Sequence, residues 1–478
     1  KGSTQPLRGV ETSNLSAYDS YLKGLEQQAI FSYGSLTLAE NHFKQALARD
    51  PDFTDARLAL ARNYLLMNGT GLLKDEETLE LVNPLIAQVR EKQPDNRLAR
   101  GLELLALMRL NDAANSREEM EPVVLELRNL LPLIPTETFI RENVANISHY
   151  FFRETQTSLE ILEAGLMVDP LDARLYIIRG EIFLDLKRND EALADFQKAQ
   201  KIAPENPGVY DRLARIEEHN NNLAGSLEWR RQAIEVDPQD HELAANLAKI
   251  LYELELPEEG DQWYARVTAL APGSAVAKHV EIHRLLARQD NQQALALCKS
   301  MLVEQVENRG GAFSEALFTF ERLMVAQGKN AEAYDFLLSI NPDIANFEQL
   351  PKDFKGLMMQ MSAITLLGFT DAGKDAFMNM LANFDKAGFP WSEPDSFGYM
   401  INQIYTGDIE GAINSFLEHK LSEPLATDLR AHTPRNLSLM ADVYADPRVA
   451  KRMTEREEEF SQLRVQIREL MLHPEWSQ

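Results

Sequence analysis

Pro170, Pro204, Pro238 and Pro272 follow one another at intervals of 34 residues. A fixed period of this length, closed each time by proline, belongs to chains built from repeated helix–turn–helix units stacked along one axis. The unit beginning at Ala173 shows the chemistry. Tyr176, Gly180 and Phe183 fall on one face of a first helix, and Ala192, Phe196 and Ala199 on one face of a second. The small residues Gly180 and Ala192 let the two backbones approach. Pro204 then ends the second helix, because proline offers no N–H and its ring clashes with the preceding turn.

Neighbouring units keep the phase. One begins at Pro207 and carries Tyr210, Leu213, Ala214, Ser226, Ala233 and Pro238. The next begins at His241 and carries Leu247, Ala248, Leu251, Gly260, Tyr264 and Pro272. A looser unit from Phe139 keeps Ala145, Leu162, Gly165 and Pro170, and Ala39, Phe43, Ala46 and Pro51 repeat the second-helix spacing near the start. These residues resemble the tetratricopeptide repeat family, strongly over 139–274 and 36–64 and weakly elsewhere. The resemblance implies an all-α fold: a right-handed α-solenoid of about ten helix pairs. From Pro447 onward, Val449, Met453, Phe460, Leu463, Ile467 and Leu470 make one apolar stripe. A C-terminal helix capping the last open repeat face is therefore expected.

Three irregular stretches interrupt the pattern, at about 68–78, 132–138 and 387–397. The expected division is an N-terminal extension over 1–16 and divergent helix pairs over 17–138. A regular array over 139–308 follows, then divergent helical repeats over 309–446 and the capping helix over 447–478.

The charge balance narrows the function classes. The 478 residues include 49 Lys and Arg against 74 Asp and Glu, for a net charge of -25. Nonspecific nucleic-acid binding needs a dense cationic surface, so direct contact with nucleic acid is not expected. No run of 18 apolar residues occurs, so no membrane insertion is expected within this chain. The single cysteine, Cys298, excludes an intrachain disulfide and falls on an inward helix face, where a small buried hydrophobe is expected. The chain begins at Lys1 without methionine or a signal-peptide pattern, so a piece of a longer polypeptide or a mature chain is expected.

Catalytic signatures are missing. Asp371 to Ala376 reads DAGKDA, which lacks the upstream glycine and the Ser/Thr of a phosphate loop. His279 and His283 are four residues apart and share a helix face, a spacing that holds a metal only when a third ligand comes near. Glu281 lies between them rather than beside His279, unlike the zinc-protease order. The expectation is therefore a non-enzyme with no cofactor and no metal, the two histidines lining a groove.

In the family that the chain resembles, positions 2, 5, 9 and 12 of each first helix line a concave groove. Carried onto this sequence, these include Asn143, Ile147 and Tyr150, then Arg174, Ile177 and Glu181, then Asp211 and Arg215. Glu242, Lys249 and Tyr252 follow, and finally His279 and His283. Mixed charge, aromatic and aliphatic character suits an extended peptide or a partner helix. The Lys/Asn clamp for a C-terminal carboxylate found in some members, at positions 2, 5, 6 and 9, is incomplete, with Asn246 and Lys249 at positions 6 and 9 but Ala245 at position 5.

The two ends carry a narrower resemblance. Ser13 to Gly24, Ala39 to Leu65 and Met440 to Glu455 are similar to repeat arrays attached to bacterial winged-helix, TolB-like or class III cyclase signalling proteins. The expected function is a non-catalytic scaffolding module that captures a protein or peptide partner in its groove, as part of a bacterial signalling or envelope protein. Such a context favours the periplasmic side of a membrane-anchored protein over the cytoplasm. The alternative is self-association into a homodimer that controls an attached effector. The methionines at Met358, Met359, Met361, Met378 and Met380 and the insertion at 387–398 would then form the interface.

Overall fold

A computed structural model describes residues 12–70, 72–110, 117–304, 311–351, 354–368, 370–386, 397–420, 440–473 and 476. Every regular element among them is helical. The first four pairs are α1 (Leu15–Ile30) with α2 (Tyr33–Arg49), α3 (Thr54–Gly69) with α4 (Asp75–Lys92), α5 (Arg97–Leu110) with α6 (Arg117–Leu130), and α7 (Thr138–Tyr150) with α8 (Thr155–Val168). The phased middle follows as α9 (Ala173–Asp185), α10 (Asn189–Ile202), α11 (Pro207–His219), α12 (Leu223–Val236), α13 (His241–Glu253), α14 (Pro257–Leu270), α15 (Ala275–Ala287) and α16 (Asn291–Val303). Then come α17 (Ala312–Ala326), α18 (Asn330–Ile340), α19 (Phe354–Leu367), α20 (Asp371–Lys386), α21 (Phe397–Thr406) and α22 (Ile409–Ser415), with a π turn over Phe416–Lys420. A short α23 (Ala441–Ala445) precedes the long α24 (Pro447–Met471). The fold is all-α, a succession of helix pairs as the 34-residue period requires.

Proline marks where second helices stop. α2, α4, α8, α10, α12, α14 and α18 each end two residues before Pro51, Pro94, Pro170, Pro204, Pro238, Pro272 and Pro342. The turn inside the five pairs from α7 to α16 has its own marker, which most of the residue types hide. Arg153, Lys187, Asn221, Glu255 and Gln289 all adopt left-handed backbone, with φ between 57 and 60°, again at a 34-residue period. None is glycine. In four of these turns the residue after the left-handed one donates its N–H to a carbonyl five residues back, as Arg188 does to Phe183 at 2.8 Å. That bond satisfies an orphan carbonyl of the first helix and turns the chain into the second.

Close packing inside the pairs follows the small residues. A Cβ built on Gly180 would lie 2.5 Å from the Phe196 ring, so α9 and α10 reach this distance only because Gly180 has none. The same relation holds between Gly260 and Tyr252, at 2.7 Å. Asp172 caps α9 by accepting from the Arg174 and Leu175 amides, and Ser274 caps α15 by accepting from Ala277.

The chain divides into two compact units, residues 1–216 with 231–240 and residues 217–230 with 241–478. In the first unit, Phe43, Leu65, Leu105, Leu127 and Val144 belong to one continuous core. In the second, Cys298, Phe313, Phe320 and Met359 share one cluster, and Phe377, Met380, Ile404 and Phe416 another. Cys298 is fully buried, and burial pushes its thiol up to about 12, so it packs as a small hydrophobe. Met359 and Met380 are likewise core residues, whereas Met378 is exposed; residues 387–396 of the insertion lie outside the described residues.

α24 adds a feature beyond the expected cap. Its Val449 is buried in the last cluster, while Arg464 donates to Glu255 at 2.7 Å and Arg468 lies 3.8 Å from Glu259. Its C-terminal half therefore reaches back to α13 and α14, the first complete pair of the second unit.

Candidate functional site

Within the first unit, consecutive first helices are tied by complementary charges. Arg174 on α9 donates through Nε to Glu142 on α7 at 2.7 Å, and its Nη2 engages the other carboxylate oxygen. The same guanidinium lies 4.4 Å from the Phe31 ring centre and 5.6 Å from that of Phe139. Further along, Arg212 donates to Glu181 at 2.8 Å, and Arg215 lies 3.8 Å from the same carboxylate. The partners are 32 and 31 residues apart in sequence, nearly one repeat period, which puts them on the same face of adjacent first helices.

The N-terminal pair closes onto this face. The Tyr33 amide donates to Asp237 at 3.0 Å across 204 residues of chain. Arg62 donates to Gln28 at 2.8 Å and lies 3.2 Å from Glu137. Gln28 in turn donates to Asn63 at 3.1 Å, and Asn63 donates to the Leu36 carbonyl at 2.9 Å. Together these contacts enclose an open cleft of about 340 Å³, lined by Leu66, Phe139, Asp172, Arg174, Glu205 and Asn206 among others. Aromatic and aliphatic walls alternate with both signs of charge.

The other groove candidates of this unit take varied places. Asn143 is half-buried and donates to the Phe139 carbonyl at 2.7 Å, a bond within its own helix. Ile147 is half-buried and Ile177 buried. Tyr150 is 43% exposed and stacks edge-on against His149, with ring centres 4.6 Å apart. Burial, with the Asp185 carboxylate beside it, raises the Tyr150 phenol well above its ordinary range. His149 lies 3.5 Å from Asp185, yet burial holds its imidazole below the usual value. Asp211 lies 3.5 Å from Arg212.

In the second unit Glu242 and Lys249 are half-buried, while Tyr252 is 2% exposed. The Tyr252 hydroxyl donates to Asp261 at 2.8 Å, and Arg284 donates to the same carboxylate at 3.0 Å. Tyr252 is thus a packing residue of α13 against α14. His279 and His283 are also buried, with their Nε2 atoms 3.3 Å apart. Glu315, on α17, approaches His283 Nε2 to 3.7 Å, and Glu253, on α13, approaches His283 Nδ1 to 3.5 Å.

Sequence reasoning missed Gln28, Phe31, Arg62, Glu142 and Glu315. The signal for four of them was present: a complementary group about one repeat period away. Glu142 precedes Arg174 by 32 residues, Glu315 follows His283 by the same interval, and Arg62 follows Gln28 by 34. Phe31 meets Arg174 through the return of the N-terminal pair, which no periodicity encodes.

Residues 147–207 match a family model described as tetratricopeptide repeat. No curated protein matches the chain. Among solved structures, a thermophilic TPR protein of Thermus thermophilus is 20% identical, with 48% of this chain and 97% of that one covered and a TM-score of 0.26. The human IFIT1 dimer with m7Gppp-AAAA is 15% identical over 75% of this chain and 91% of that one, with a TM-score of 0.45. Yeast Tom70 is 14% identical over 74% of this chain and 90% of that one, with a TM-score of 0.37. Among the described residues no helix is long and apolar enough to cross a membrane.

Proposed function

We propose that this tetratricopeptide repeat protein is a non-catalytic interaction module that captures a polypeptide segment in the cleft of its first unit. Arrays of stacked helix pairs expose long surfaces, and that build supports a role in binding or scaffolding protein partners. The observation that carries the finer reading is the cleft that α1 and α3 form with α7, the start of α9 and the end of α10. Its volume of about 340 Å³ lies at the lower end of ligand-sized pockets. Arg62 and Arg174 line it together with Asp172 and Glu205, beside apolar Leu25, Leu66 and Phe139. A peptide backbone, with donors and acceptors in alternation and side chains on both flanks, suits walls of this mixture.

Arg174 and Arg62 already hold carboxylates of the chain itself, so their geometry is set before any partner arrives. Preorganisation of this kind lowers the entropic cost of binding. The resemblance of the two ends supports a setting in a bacterial signalling or envelope protein, where partner capture would transmit or localise a signal.

Photo-crosslinking tests the assignment. A crosslinking residue at the exposed Glu205 rim should trap one polypeptide partner in the native host. Arg62→Glu and Arg174→Glu should each reduce the trapped product at least tenfold while helicity is retained. Equal recovery from both folded variants would remove the cleft as the binding site. Tyr252 is unsuited as a probe, because its truncation opens the α13–α14 interface.

A further inference from the structure

We propose that His279, His283 and Glu315 form a mononuclear site for a divalent transition ion, zinc in particular, that ties α15 to α17. One donor atom from each of the three residues lies within 4.8 Å of the other two. The two Nε2 atoms face each other at 3.3 Å. Two nitrogens on one tetrahedral zinc, at bonds of about 2.0–2.1 Å, are separated by about 3.3 Å, whereas neighbouring octahedral ligands at that bond length stand about 2.9 Å apart. The observed separation therefore matches the tetrahedral edge. Two imidazoles and a carboxylate are a donor set that zinc accepts, with a fourth position left for water.

The surroundings support the assignment. Both imidazoles are buried, so their direction is set by packing rather than by solvent. Glu253, on α13, stands 3.5 Å from His283 Nδ1, the place of the carboxylate that orients a metal-bound histidine through its second nitrogen. The Glu315 side chain is 31% exposed, which leaves an entry path from solvent. Its Oε1 lies 3.7 Å from His283 Nε2, about 0.4 Å beyond the tetrahedral edge on that side. The Lys249 charge on α13 acts on His279. Lys249 also opposes a cation, and the carboxylates of Glu315 and Glu253 offset it. Because α15 and α17 are first helices of successive pairs, the ion would act as a cross-brace within the second unit.

The test uses the untagged full chain, stripped with a chelator and then titrated with zinc alone. One equivalent should bind, the melting temperature should rise by several degrees, and the chelator should reverse the rise. Cobalt substituted for zinc should give the visible absorption of a tetrahedral ion. His283→Gln should abolish the site. Glu315→Gln, at a partly exposed position that should not disturb folding, should weaken it at least tenfold, and His42→Gln in the other unit should leave it intact. No stoichiometric zinc on the wild-type chain, or equal binding by the Glu315→Gln variant, would overturn the proposal and leave the two imidazoles as a hydrogen-bonded pair.

Discussion

Arg230 donates to Glu218 at 2.7 Å with both side chains almost fully buried, at 4% and 7% exposure. Ser226 donates to the same Glu218 oxygen at 3.0 Å. A charge pair in such a place costs desolvation and stands only while both partners are present.

Removing one partner should therefore cost more than removing both. Glu218→Leu is expected to destabilise the protein by about 3–5 kcal/mol, because it takes a counter-charge away from a buried guanidinium. The double variant Glu218→Leu with Arg230→Met should lose markedly less than the sum of the single changes. Urea denaturation of the four proteins in a mutant cycle measures the difference.

Gly180 should tolerate no branched side chain. Its Cβ position lies 2.5 Å from the Phe196 ring, so Gly180→Val forces α9 away from α10 at about 2–3 kcal/mol. Combining it with Phe196→Leu, which withdraws the ring, should recover part of that loss. Thermal melts of the single and double variants decide the point.

The left-handed turns offer an opposite pair of changes. Lys187 has φ of 59°, a conformation that costs an L side chain about 1–2 kcal/mol, so Lys187→Gly should stabilise by about 0.5–1 kcal/mol after the greater freedom of unfolded glycine is counted. Gly407 has φ of 83° and open space around it, so Gly407→Ala should destabilise by about 1 kcal/mol through backbone strain alone. Denaturation midpoints that shift in the same direction for both would refute this account of the turns.

Glu321 should make stability fall as pH rises. Burial pushes its carboxyl up to about 7, against an ordinary 4.5, with Ser362 opposing. Below the unfolded value both states hold the proton. Between that value and about 7 only the folded state keeps it, so the unfolded state gains, by on the order of 3 kcal/mol once the window is crossed. Glu321→Gln should flatten this component of a stability profile taken from about pH 4.5 to 8.

Much of the fold was legible because its chemistry is local. Proline recurring at the repeat period ends a helix by local chemistry, so Pro51, Pro170, Pro204, Pro238 and Pro272 announced helix ends, whereas Pro84 and Pro122 stand inside α4 and α6. Gly180 and Ala192 likewise marked the faces that meet. Four of the left-handed positions were illegible because Arg153, Lys187, Glu255 and Gln289 are not residues that advertise positive φ, whereas Asn221 is. There the repeat geometry imposes the conformation on whatever side chain is present. The groove positions were nameable but not their state: Tyr252, His279 and His283 sit at surface-facing phases and are buried by adjoining helices.

By itself, the sequence determined that this chain is a succession of helix pairs, since period, small residues and prolines act within one unit or between neighbours. Only the tertiary structure decided which groups meet across units of the repeat. Arg174 reaches Phe31, and Tyr33 reaches Asp237, because the N-terminal pair returns to the regular array. Such meetings depend on the small rotation from pair to pair summed over several pairs, a quantity that no single unit carries.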